Sequence, residues 1–137
     1  MRARTRLAAL GLSLTSIVGV GVGAATAAHA SGMTYLDYCR GMYGQYDDSG
    51  QTVGKGSEDL NAFGNVDNYG PVHEAQCLLD AYDNAYYLSI DGIYGQHTWN
   101  AVWNFQSVNS NELSVDGVVG PQTWAYLAMY ASNVSYN

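Results

Sequence analysis

The chain has 137 residues, with 5 Lys or Arg against 12 Asp or Glu and a formal net charge of −7. So acidic a chain disfavours nucleic acid, an anionic membrane or any other polyanion as a partner, which it would repel rather than steer inward. A hydrophobic content of 47% argues against wholesale disorder and suits one globular domain.

The first thirty residues read as an export signal. Arg2, Arg4 and Arg6 form a positive start, Leu7 to Val22 an apolar stretch, and Ala28-His29-Ala30 a small-x-small cleavage site. Cleavage there makes Ser31 the expected first mature residue and leaves no membrane anchor. The mature chain then carries only Arg40 and Lys55 against all twelve acids, a formal charge of −10. A secreted protein is expected.

Residues 31–70 form a Gly-, Asp- and Tyr-rich extension. A short helical turn is expected around Met33–Met42. From 40 to 70 the sequence reads as loop, dense in Gly, Asp, Asn and Ser and without a sustained period. Its Tyr43, Tyr46, Phe63 and Tyr69 suggest partial packing rather than a free linker. Cys39 and Cys77 are the only two cysteines, and in an oxidising setting a single pair most often forms a disulfide. On the chain-entropy model, closing a loop of roughly 40 residues stabilises by about 4 kcal/mol. A reactive thiol is the alternative, and it needs a base partner to which the sequence does not point. Cys77 falls on an apolar stripe beside Leu78, and Cys39 follows Tyr35-Leu36 and Tyr38. The bridge is therefore expected to fasten residues 33–40 onto the first helix of the ordered part.

That ordered part spans 71–131 and is followed by a tail, 132–137. Val72, Ala75, Cys77-Leu78-Leu79 and Tyr82 fit one broad helical face, which Asp83-Asn84 ends. "LSIDGIYGQHTWNAV" (88–102) then recurs as "LSVDGVVGPQTWAYL" (113–127). In both copies Asp-Gly is a turn dipeptide: Asp bonds nearby backbone N–H groups and Gly accepts a positive φ. Each turn leads into an amphipathic run. The first covers about Gln96 to Val108, with Trp99, Val102, Trp103 and Phe105-Gln106 at helical spacing. The second starts at Pro121, which fits the first helical position behind Gly120 at the N-cap. Three short helices result, the last two each preceded by the same turn.

Residues 72–127 resemble the peptidoglycan-binding domain type 1 of bacterial cell-wall hydrolases and other secreted proteins. Asp91-Gly92, Gly95, Thr98, Phe105-Gln106, Val115-Asp116-Gly117, Gly120-Pro121 and Thr123-Trp124 carry the resemblance, in order and at the family's spacing. Gln96-His97 stands where the family has Pro-x, and Tyr94 where Phe is common. The resemblance implies an all-α fold, a small three-helix bundle, and noncovalent binding to peptidoglycan at the cell wall. It usually anchors a catalytic domain. Residues 31–70 are too short and too Gly-rich to bury an enzyme's core, so a non-catalytic binding module is expected.

The candidate ligand-binding residues are Tyr87, Asp91, Tyr94, Gln96, Trp99, Trp103, Asp116 and Trp124. Tyr86, Tyr87 and Tyr94 flank the first turn, where a tyrosine offers a ring face to a sugar and a hydroxyl to its rim. Trp99 and Trp124 stand equivalently, one residue after each Thr, which also suits repeated packing against the turns. Of Trp103 and Phe105, at least one is core. The first residues of each helix present backbone N–H groups that suit a stem-peptide carboxylate or a sugar acetamide carbonyl, a step that rests on chemistry alone. Neither metal nor cofactor is indicated. "HEAQC" (73–77) puts Cys77 where a zinc motif needs His, and "DDSGQTVGKGSED" (47–59) lacks calcium-loop spacing. Asp91 and Asp116 read as turn residues rather than as a catalytic carboxylate pair. An extracellular protein partner, with the module acting as an interaction domain or inhibitor, is the alternative that an acidic, Tyr-rich surface leaves open.

Overall fold

A computed structural model of the chain describes residues 32–47, 49–82 and 88–136. The expected signal segment, Tyr86-Tyr87 and the Asp83-Asn84 helix stop lie outside them. Among the described residues four helices follow in chain order: α1 (Tyr35–Tyr43), α2 (Pro71–Tyr82), α3 (Gln96–Val108) and α4 (Pro121–Ala131). Among the described residues only isolated β-bridges accompany them, so the fold is all-α. None of the described helices is long and apolar enough to cross a membrane.

α1 is a full helix rather than the single turn expected. Thr34 and Asp37 form a reciprocal capping box: Thr34 Oγ1 accepts from Asp37 N at 3.1 Å, and Asp37 Oδ2 accepts from Thr34 N at 3.3 Å. The Thr34 hydrogen bonds also hold the Asp37 carboxyl below the usual range. Gly44, at φ 98°, ends the helix.

α2 is the centre of the molecule. Every residue from Val72 to Leu79 is buried, including His73, Glu74 and Gln76. α1, α3 and α4 all pack on it. Cys39 of α1 bonds Cys77 of α2 with Cα atoms 5.7 Å apart, both fully buried. The docking of the first segment on this helix is therefore as the cysteine positions imply. Tyr35 adds a hydrogen bond from its hydroxyl to Asp80 Oδ2 at 2.8 Å. The tail returns to the same place: Thr34 bridges Ser135, and Tyr136 stacks on Tyr38 with ring centroids 3.9 Å apart.

Of the 40–70 stretch expected as loop, the first residues belong to α1 and the rest is irregular. Of its aromatics Tyr43 packs partly on the core and stacks on His73, and Tyr46 is half-buried, but the other two do not pack. Phe63 is 89% exposed and Tyr69 60% exposed, whereas Val53 and Asp59 are buried. Val53 pairs with Val119 through two backbone hydrogen bonds of 3.1 and 2.8 Å. The carboxylate of Asp59 accepts from Val72 N at 3.1 Å and His73 N at 2.8 Å, capping α2 from outside the helix's own sequence. From Met33 onward the extension and the helices thus make one compact unit.

Two equivalent turn–helix pockets

Each Asp-Gly turn is held by a glutamine from the preceding helix. Gln76 Oε1 accepts from Asp91 N at 3.0 Å and Gly92 N at 2.9 Å. Its Nε2 donates to Asp91 Oδ1, Ile93 O and Thr98 Oγ1. Gln106 does the same for the second turn. Its Oε1 accepts from Asp116 N at 3.1 Å and Gly117 N at 2.8 Å, and its Nε2 donates to Asp116 Oδ1, Val118 O and Thr123 Oγ1. Both glutamines are 1% exposed. A buried amide that satisfies donor and acceptor at once turns a loop into a fixed frame, since leaving these groups unpaired costs about 1–3 kcal/mol each.

The aspartates close the turns locally. Asp91 Oδ1 accepts from Ile93 N at 3.0 Å and Asp116 Oδ1 from Val118 N at 2.9 Å. Gly92 (φ 72°) and Gly117 (φ 73°) adopt the left-handed conformation that side chains resist. Rings lie flush on both: a Cβ at Gly92 would come within 2.2 Å of the His73 ring, and one at Gly117 within 2.0 Å of the Trp99 indole. His73 is itself fixed, with Nδ1 2.9 Å from Asp59 Oδ2.

Beside each turn lies a small surface cavity at the start of the next helix. The first, of about 250 Å³, is lined by Ser89, Asp91, Ile93, Gly95, Gln96, His97 and Thr98, with Leu88. The second, of about 270 Å³, is lined by the matching Ser114, Asp116, Val118, Gly120, Pro121, Gln122 and Thr123. Neither glycine N-cap has a side-chain cap, and the first intrahelical bonds run from Trp99 N to Gly95 O and from Trp124 N to Gly120 O. The first-turn N–H groups of α3 and α4 therefore precede any intrahelical acceptor and give each pocket a partial positive wall. Each pocket also has one exposed aspartate whose Oδ2 makes no hydrogen bond among the described residues.

The candidate residues divide by this geometry. Asp91 and Gln96 line the first pocket and Asp116 the second. Trp99 and Trp103 lie on α3 with rings 6.5 Å apart and 26° between planes; Trp103 is 41% exposed, while Trp99 is the ring on Gly117. Phe105 is the core member of the Trp103–Phe105 choice. Tyr94 and Trp124 are corrected from ligand faces to core. Tyr94 is 1% exposed and donates its hydroxyl to Gly117 O at 2.8 Å, tying the first turn region to the second. Burial raises its pKa, so the hydroxyl stays a donor. Trp124 is fully buried, with Nε1 donating to Gln51 O. Tyr87 lies outside the described residues. Among those described, no group of three or more His, Cys, Asp or Glu is placed to hold a metal.

Sequence reasoning passed over Ser89, Ser114, His97 and Gln122 as pocket residues, although the repeat aligns Ser89 with Ser114. It also passed over the two glutamines. A signal was present only for Gln106, which stands in the Phe105-Gln106 pair that carries the family resemblance; Gln76, after Ala75, had none.

Residues 68–127 match the family model described as "Putative peptidoglycan binding domain". The segment belongs to that family. The doubled turn, its two glutamines and both pockets fall inside the matched residues. Among solved structures, the chain is similar to a peptidoglycan-binding protein from Clostridioides difficile in complex with glutamine hydroxamate. The identity is 30% and the TM-score 0.47, over 64% of this chain and 47% of that one. The chain thus spans about half the length of that protein. No curated protein matches it.

Proposed function

We propose that this is a secreted, wall-associated module that binds peptidoglycan noncovalently, without catalysis, through its two turn–helix pockets. The observation that carries the proposal is their equivalence within a peptidoglycan-binding domain: seven lining positions recur in register, from Ser89–Thr98 to Ser114–Thr123. A polymer of repeating units suits a protein with a repeated site. Each cavity is smaller than the roughly 300–1,000 Å³ typical of sites that enclose a whole ligand. Each therefore takes a projecting group of the polymer, such as an acetamide or a peptide carboxyl, rather than a full disaccharide. Two shallow pockets engaged together gain avidity that neither has alone. The non-catalytic reading rests on the carboxylates: each pocket holds one aspartate, and each aspartate is tied into its own turn, whereas glycoside hydrolysis needs a pair across one cleft.

Co-sedimentation with purified insoluble peptidoglycan tests the reading. The protein is expected in the pellet, with no fall in wall turbidity. Protein left in the supernatant beside a known wall binder that pellets would refute it, and a stoichiometric protein partner from culture medium would then favour an interaction module.

A further inference from the structure

The two pockets differ in one respect that the repeat does not explain. Gln96 stands at the mouth of the first where Pro121 stands in the second, and Gln96 Oε1 accepts a hydrogen bond of 2.6 Å from Lys55 Nζ. Lys55 comes from the extension, outside the family segment. Its position is built rather than accidental. Residues 54–57 form a turn in which Ser57 N donates to Gly54 O and Gly54 N to Ser57 Oγ. That turn is pinned to the strand-like entry of α3, with Gly56 N donating to Tyr94 O at 3.0 Å and Tyr94 N to Ser57 O at 2.9 Å. Val53–Val119 and Glu58–Ile93 bridges fix the chain on either side.

Lys55 and Arg40 are the only Lys or Arg among the described residues, and Arg40 is paired with Asp47. Lys55 makes no ion pair among them and is exposed. Among the described residues, the Lys or Arg without an acidic partner thus bonds a residue of the first pocket, which Asp91, with a charge that would otherwise repel an anion, also lines.

We infer that Lys55 makes the first pocket selective for a carboxylate, while the second, with Pro121 and no cation, takes a neutral group. This rests on the peptidoglycan-binding reading and assigns an acidic group of that polymer, a peptide carboxylate, to the first site. Lys55 exchanges its bond to Gln96 Oε1 for the incoming carboxylate, Gln96 stays tied through its Nε2 to Asn100 Oδ1, and the first-turn N–H groups of α3 complete the shell.

The test titrates 15N-labelled mature protein with N-acetyl-D-alanine and, separately, with its C-terminal amide. The acid should shift the Gln96–Thr98 amides and leave Gly120–Thr123 unmoved, and should bind about tenfold more tightly than the amide, as expected for a charge-assisted contact over a neutral one. Lys55→Gln should abolish that discrimination with an unchanged melting temperature, and Lys55→Arg should retain it. Equal binding of acid and amide by the wild type, or discrimination surviving in Lys55→Gln, would overturn the inference. Sedimentation with peptidoglycan is read separately: wall binding without acid preference removes only the role of Lys55, and acid preference without wall binding removes only the wider function.

Discussion

At the scale of single residues, two buried glutamines and one buried glutamate decide the most. Gln106→Glu keeps the side chain's shape but replaces three donated contacts with a carboxylate facing Asp116 Oδ1, Val118 O and Thr123 Oγ1. The expected cost is about 3 kcal/mol of stability, against near zero for Gln122→Glu on the exposed rim, and chemical denaturation of both variants measures it. Glu74 is different in kind. Its Oε2 accepts from the backbone N–H groups of Tyr46 and Asp47, while Oε1 is buried without a partner. Burial, offset in part by the Tyr46 hydrogen bond and reinforced by the Asp47 charge, pushes its pKa up to about 8, with the Arg40 guanidinium pulling it back. The folded state therefore holds the carboxyl proton to higher pH than the unfolded chain does. Between the unfolded carboxyl value of about 4.5 and the folded one, the native state binds the extra proton, so stability is full below that window. It falls as pH rises through it, by up to about 1.4 kcal/mol per pH unit, and levels off above pH 8. Glu74→Gln should flatten this slope, which denaturation midpoints at pH 5, 7 and 9 will show.

At the scale of elements, the extension is part of the fold rather than an appendage to it. Asp59 caps α2 and orients His73, which covers Gly92, so one carboxylate links the extension to the first turn. Asp59→Ala should cost about 2 kcal/mol, and hydrogen exchange should show the first turn of α2 and residues 91–93 opening before the second turn. Much of this level was legible beforehand. The repeated Asp-Gly motif marked both turns, and Pro121 marked the start of α4. The spacing of Cys39 and Cys77 on apolar stripes placed α1 on α2. What was not legible depends on partners distant in sequence. Gln76 on a helix reads as a polar edge until its neighbours are known. Val53, Lys55 and Asp59 lie in a composition that signals only loop, and their partners Val119, Gln96 and Val72 stand far along the chain. Tyr94 beside a turn suits a binding face or a core equally, and only the position of Gly117 O decides between them.

At the scale of the whole molecule, α2 acts as a central post on which both pockets are mounted at fixed positions. Gln76 holds the first turn directly, and Gln106 of α3 holds the second. Tyr94 couples the two through its hydroxyl to Gly117 O. A rigid frame of this kind loses little entropy on binding a polymer, which offsets the weakness of each shallow site. On the proposed function, the acidic surface would leave contact with the wall to local hydrogen bonding and to Lys55 rather than to long-range attraction, so wall binding should change little between low and moderate salt, as sedimentation at 50 and about 300 mM salt will measure. The most direct test of the central claim, that the repeated turns are the binding sites, is an NMR titration of the mature protein with soluble muropeptides. The predicted result is a set of amide shifts confined to the two pockets, around residues 89–98 and 114–123. Shifts confined to other surfaces, or none at muropeptide concentrations in the millimolar range, would contradict it.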